Sequence, residues 1–228
     1  MQRLGHCVLH PLTGRYVIRR VTKLVIFDCD GTLVDSEFLC NLALERQLAE
    51  IGVECKAKAL LDKFRGCKLA SIFASLESEF SISLPESFES EYRYKVGALF
   101  DEHLKPNAGV KEVLESLSIP FCIASSAPRE KIKRALSVTG LDGYFDNNIF
   151  SSYEVGSWKP EPQLFLHAAN EMGVNPEECC VVEDSLVGLE AATNAKMKVV
   201  YYAPKVTEQN HFGAVQIQNM SELFEIIT

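Results

Sequence analysis

The chain has 228 residues, 47% of them hydrophobic and 24% charged, enough to bury a sizeable core in one α/β domain or in a core carrying a smaller inserted domain. A formal charge of −8 excludes a nucleic-acid binder, whose partner demands a basic face, but not a small anionic substrate held in a locally positive site. No run approaches the ~18 uninterrupted apolar residues of a membrane span. The eight cysteines include no CxxC pair, and several sit in apolar runs such as Phe121-Cys122-Ile123. They read as reduced structural thiols of a cytoplasmic protein, not as disulfides or a zinc site.

In chain order, residues 1–20 come first, with Arg3, His6, His10, Arg15 and Arg19, and with Pro11 and Gly14 breaking any periodicity. They lack the apolar segment of about 7–15 residues that a secretory signal needs. This stretch is expected to be an unstructured extension. Leu24-Val25-Ile26-Phe27 is a short continuous apolar run, suited to a strand buried on both faces. From about 37 to 103 no strand is convincing, and helical stretches are read at 38–51, 69–80 and 87–100. After Asn107-Ala108-Gly109 an alternation sets in. Strands are read at Pro120-Phe121-Cys122-Ile123-Ala124, Cys179-Cys180-Val181-Val182 and Val199-Val200-Tyr201-Tyr202, and helices at 109–118, 129–138, 162–172 and 186–195. Strand–helix alternation gives a parallel, doubly wound sheet. The helical segment set in after the first strand then lies above the carboxyl ends of the strands, where such sheets bind ligands, as a candidate lid.

The chemistry concentrates at Phe27-Asp28-Cys29-Asp30-Gly31-Thr32-Leu33-Val34-Asp35. Two carboxylates two residues apart at a strand end cost energy unless a cation or a proton relieves them. A calcium loop fails, because Leu33 stands at its glycine position and Leu39 at its bidentate acid position. Two readings stay open on this segment alone: a polar strand end with Asp-Gly turn chemistry, and a metal-assisted phosphoryl-transfer site with one acid as nucleophile.

Asp-x-Asp-Gly-Thr after an apolar strand resembles the signature of the haloacid-dehalogenase-like superfamily of phosphatases. Its later motifs are matched in order by Cys122-Ile123-Ala124-Ser125, by Trp158-Lys159-Pro160-Glu161-Pro162 and by Val181-Val182-Glu183-Asp184-Ser185. The resemblance implies a Rossmann-like core at 21–36 and 106–228 with an all-helical cap at 37–105. It implies Asp28 as nucleophile, Asp30 as general acid and base, and Mg²⁺ held by Asp28, the Asp30 carbonyl and Asp184. It further implies Glu183 outside the metal shell, Lys159, Ser125 and Ser126 on the phosphoryl group, and Thr32 helping to position Asp30.

The same resemblance narrows the reaction. The founding dehalogenases lack the second aspartate, which this chain has. The related sugar-phosphate mutases carry a cap histidine twelve residues after the nucleophile, where this chain has Cys40, so hydrolysis is preferred to phosphate transfer. A non-catalytic binding protein is the remaining alternative. Phe64-Arg65-Gly66-Cys67-Lys68-Leu69 lies between two cap helices, where Arg65 and Lys68 either line a solvated loop or meet the substrate. With Asp-Cys-Asp, this run resembles bacterial enzymes that act on 6-phosphogluconate. The expectation is a Mg²⁺-dependent phosphatase of a small phosphorylated metabolite, a monomer or weak homodimer without nucleic-acid or membrane partners.

Overall fold

The computed structural model describes residues 6–9, 16–19, 21–204 and 212–227. Near the amino end, β1 (His6–Leu9) and β2 (Tyr16–Arg19) pair antiparallel, with His6 opposite Arg19. The expectation of no regular structure across 1–20 is thereby corrected. His-Cys-Val-Leu and Tyr-Val-Ile-Arg are rich in residues that suit a pleated surface, but each is too short to show a period. The pair forms a sheet of its own, separate from the main one.

The main sheet contains β3 (Leu24–Phe27), β4 (Phe121–Ser125), β5 (Ile149–Ser151), β6 (Cys179–Glu183), β7 (Lys198–Tyr202) and β8 (Val215–Ile217), in the order β5-β4-β3-β6-β7-β8. Every neighbouring pair in it is parallel. The three-residue edge strands β5 and β8 carry too little pattern to be read in advance. Along the central strands, side chains alternate between two apolar clusters. Val25, Phe27, Ile123, Cys180 and Val182 point to one face, and Leu24, Ile26, Cys122, Ala124 and Val181 to the other. Both clusters are buried, which explains why these strands read as unbroken apolar runs.

The helical insertion follows β3 and consists of α1 (Glu37–Glu50), α2 (Ala57–Phe64), α3 (Leu69–Phe80) and α4 (Phe88–His103). The sequence reading lacked α2. The insertion has its own apolar centre of Leu44, Leu48, Leu60, Phe64, Leu76 and Phe88. Its roots, with Leu39 and Ala43 of α1 and Val96, Leu99 and Phe100 of α4, join the sheet's first cluster. The outgoing and returning chain run side by side, since Asp35 N donates to Lys105 O at 3.0 Å and Val34 bridges Pro106. The remaining helices are α5 (Val110–Ser116), α6 (Arg129–Thr139), α7 (Ser152–Val155), α8 (Gln163–Glu171), α9 (Leu186–Asn194) and α10 (Leu223–Ile227). No helix among the described residues is long and apolar enough to cross a membrane, and the seven described cysteine side chains are free.

Strand order fixes where a ligand goes. From central β3 the chain moves outward to β4 and β5, then returns past β3 to place β6 on its other side. The crevice beyond the carboxyl ends of β3 and β6 is therefore the topological switch point, where open α/β sheets bind.

Candidate active site

Asp28 follows β3 directly and extends its register, its N–H donating to Val182 O of β6 at 3.0 Å. The chain then coils tightly: Leu33 N and Val34 N both donate to Cys29 O, and Gly31 N donates to Val34 O. Asn107 ties this loop down, its Nδ2 donating to Gly31 O at 2.9 Å and to Thr32 O at 2.8 Å. Gly31 has φ +81°, and a Cβ there would lie 2.2 Å from Asp184 Oδ2. Only glycine allows both the left-handed turn and this approach of the first motif to the fourth.

Across the crevice, β6 ends in Glu183, and Asp184 and Ser185 follow before α9. Lys159 reaches in with its side chain 4% exposed, its Nζ 2.6 Å from Asp28 Oδ1 and 2.6 Å from Glu183 Oε1. The other Glu183 oxygen accepts from Ser185 N at 2.6 Å and Ser185 Oγ at 2.9 Å. Glu183 thus braces Lys159 and the start of α9, a more specific placement than the outer position the motif implied. Thr32 also differs: its Oγ1 donates to Asp184 Oδ1 at 3.3 Å, and the hydroxyl on Asp30 is that of Ser36, at 2.5 Å. The tight coil after Asp28 turns Thr32 toward β6, whereas Ser36, six residues beyond Asp30, comes back to it.

Electrostatics separate the carboxylates. Burial pushes Asp28 up to about 7 against the pull of Lys159, with Glu183 and Asp30 adding to the rise. Asp184 is raised well above the carboxylate range by burial, then by Glu183, Glu37 and Asp28. Asp30 moves the other way: burial would raise it, but the charge of Lys131 and hydrogen bonds from Lys131 and Ser36 hold it low. Glu37, unmarked in the sequence, is pushed up to about 7 by burial and by Asp30.

Such crowded hard oxygens are what a divalent cation relieves, and Asp28 and Asp184 are the side chains that could hold one. Among the described residues no three His, Cys, Asp or Glu side chains converge as a metal cage. A set of two carboxylates and one backbone carbonyl does not need them to, because Mg²⁺ commonly keeps several waters or substrate oxygens.

Above these groups opens a cavity of about 560 Å³, lined by Asp28, Asp30, Ser125, Ser126, Lys159 and Asp184 from the core and by Lys68 from the insertion. Ser125, at the end of β4, is buried and accepts from Ala127 N at 3.2 Å. The loop between α2 and α3 reaches the site as its sequence allowed, but unevenly. Lys68 Nζ stands 3.8 Å over the Trp158 ring. Arg65, nearly half exposed, lies 3.8 Å from Asp184 Oδ2. Gly66, with φ +73°, lets this loop press on Ser185 and the start of α9, since a Cβ there would meet Val187 at 2.8 Å and Ser185 at 3.0 Å.

Lys131, Ser36, Glu37 and Trp158 line or brace the site and were not singled out. Lys131 reads as a solvent-facing residue of an amphipathic helix, Ser36 and Glu37 lie just beyond the first motif, and Trp158 opens the Lys-Pro match without a role assigned to it.

Residues 25–202 match the haloacid dehalogenase-like hydrolase family. The chain is 35% identical over 202 residues to the 6-phosphogluconate phosphatase of Escherichia coli K12, covering 84% of this chain and 91% of that protein. It is 33% identical to a phosphorylated carbohydrates phosphatase of Thermotoga maritima, over 78% of this chain and 84% of the other. A solved haloacid dehalogenase-like protein of Agrobacterium tumefaciens superposes with a TM-score of 0.78 at 33% identity, over 90% of this chain and 97% of that one. With its motifs assembled at one crevice and these likenesses spanning core and insertion alike, the chain belongs to the haloacid dehalogenase-like hydrolase family, as a phosphoric monoester hydrolase.

Proposed function

We propose that this enzyme hydrolyses a small phosphorylated metabolite, a sugar phosphate such as 6-phosphogluconate, through a phosphate carried covalently on Asp28. One observation carries the reading: two carboxylates at one crevice stand in different settings, Asp28 against buried Lys159, and Asp30 against Lys131 and Ser36. The Lys159 ammonium on Asp28 favours its charged, attacking form, while Lys131 and Ser36 fix the Asp30 carboxylate at the same crevice as the proton carrier.

Asp30, ionised in the free enzyme, takes up a proton as the anionic substrate binds; an Asp28 oxygen attacks phosphorus while the bond to the alcohol oxygen breaks, and Asp30 gives that oxygen its proton. Asp30 then takes a proton from water, the water oxygen attacks phosphorus, and the bond to Asp28 breaks. Inorganic phosphate leaves with both aspartates restored. Acid–base help of this kind contributes ~10²–10⁴ in rate. Lys159, held ready by Glu183, and Ser125 and Ser126 grip the phosphoryl oxygens as they pass between the two aspartates. Mg²⁺ bound by Asp28, Asp184 and the Asp30 carbonyl supplies the positive charge that lets one anion approach another. Residues 37–105 act as a cap over a core of 21–36 and 106–228, and Arg65 and Lys68 read the part of the substrate remote from phosphorus.

The substrate class rests on the likeness to the two carbohydrate-phosphate phosphatases. Mutase chemistry is not favoured, because Cys40 stands where the mutases it resembles carry a histidine. A binding-only role would leave the full catalytic set without purpose. The test is phosphate release from 6-phosphogluconate, other sugar phosphates and phosphoglycolate, with Mg²⁺ and with EDTA, for the wild type and Asp28→Asn. Turnover should require Mg²⁺ and fall by orders of magnitude in Asp28→Asn, which keeps its fold. Near-wild-type turnover in the purified variant rules out the covalent route.

A further inference from the structure

Lys131 belongs to none of the motifs that define the site, yet it lies against the acid–base carboxylate. Its Nζ is 2.8 Å from Asp30 Oδ2, while Ser36 Oγ donates to Oδ1 at 2.5 Å. The two donors hold the two oxygens from different parts of the fold. Lys131 stands in the first turn of α6, on the core, and Ser36 immediately precedes α1, at the root of the insertion.

A lysine ammonium on a four-carbon stem ordinarily samples many rotamers. Here the side chain is about three-quarters buried, with the Phe100 ring 5.6 Å from Nζ. Cys40 of α1 and Tyr92 of α4 line the same cavity as Lys131. The ammonium is thus enclosed by α1 and α4 and directed at one carboxylate oxygen.

We infer that Lys131 is the positioning residue of Asp30, fixing the carboxylate that protonates the leaving oxygen and then draws the proton from water. The inference rests on the acid–base role given to Asp30 above. A carboxylate offers about four lone-pair sites. Lys131 and Ser36 occupy two, which locks the rotation of the group and leaves two for the leaving oxygen and the water. Because α6 belongs to the core, the clamp does not depend on a side chain carried in by cap closure. A misplacement of about 1 Å at such a group costs about 10² in rate.

Leaving-group dependence separates positioning from other roles, because phenolate needs a proton as it departs far more than p-nitrophenolate does. Release of each phenol from phenyl phosphate and p-nitrophenyl phosphate is measured in single turnovers, with enzyme in excess and Mg²⁺ present. The wild type is compared with Asp30→Asn, Lys131→Met and Lys131→Arg. Lys131→Met should slow phenol release by about 30–100-fold, at or just below the ~10²–10⁴ of an acid lost outright, and p-nitrophenolate release by less than about 3-fold. Lys131→Arg, which can still hold a carboxylate, should recover most of the loss. If Lys131→Met does not fold, Lys131→Arg must show a milder form of the same split.

Equal slowing of both esters, or slowing of neither, overturns the inference by assigning Lys131 to the phosphoryl grip, to folding or to no role. If Asp30→Asn splits the esters and Lys131→Met does not, only the assignment of Lys131 falls. If Asp30→Asn itself shows no split, the acid–base reading fails and takes this inference with it.

Discussion

Among single residues, Lys159 is the most constrained. Its ammonium is enclosed between two buried carboxylates, each at 2.6 Å, and the Phe165 ring lies 5.0 Å away. Removing one partner of such a set leaves uncompensated charge in the interior, which commonly costs about 3–5 kcal/mol. Lys159 therefore serves the fold as well as the site, and it is a poor position for separating binding from stability. Lys68 is a better one. Its ammonium stands over the Trp158 face, a contact worth about 0.5–2 kcal/mol. Lys68→Ala should lower kcat/KM for the metabolite by about 10–100-fold, or about 1.4–2.7 kcal/mol. Hydrolysis of p-nitrophenyl phosphate, too small to reach the loop, should change little. Comparable losses on both esters would move Lys68 into the phosphoryl site or into cap folding, and a loss on neither would make it a solvated lysine.

Between elements, the decisive junction is the α2–α3 loop against Ser185 and the start of α9. Gly66 closes it, because its φ of +73° and the 2.8 Å that a Cβ would have to Val187 exclude a larger residue without movement. Gly66→Ala would pay about 1–2 kcal/mol in the left-handed region and lift the loop from Ser185 and Val187. The apolar centre of the insertion does not include Gly66, so the melting temperature should fall only slightly. KM for the metabolite should rise, and the emission of Trp158, the one tryptophan of the chain, should shift as Lys68 leaves its ring. Unchanged KM together with unchanged emission would show that this contact does not seat the cap. A second junction ties α4 to α6 farther out: Arg134 pairs with Asp101 at 2.5 Å and packs over Gly97, where a Cβ would meet its guanidinium. The insertion is thus attached at its root and along one helix.

For the molecule as a whole, the six parallel strands form one sheet with an apolar cluster on each face, and β1 and β2 form a separate sheet. A lone two-stranded hairpin is marginal in water. Deleting residues 1–20 should accordingly leave the melting temperature within about 3 °C, a change of under about 1 kcal/mol for a domain of this size, and turnover unaltered. A larger loss in thermal unfolding or in steady-state rate would mean that the segment packs on the core or on a second copy of the chain.

The sequence alone determined whatever is written in short contiguous runs. Leu24-Val25-Ile26-Phe27 is apolar because both faces of β3 are covered. Asp28, Asp30 and Gly31 follow within one turn, and Ser125, Lys159 and Asp184 stand at the ends of segments whose periodicity marks them as strands or a helix start. The α/β architecture was legible for that reason, and the residues that the family resemblance implied line one cavity. Tertiary structure alone decided the rest, because it depends on which distant segments meet. Thr32 turns to Asp184 and Ser36 to Asp30 because the loop coils back on Cys29. Lys131, one hundred and one residues from Asp30, reaches it because β4 lies beside β3 and α6 starts above their carboxyl ends. No local period records that pairing. A lysine on an amphipathic helix has the same sequence signature whether it faces water or a buried carboxylate, and strand order is what separates the two.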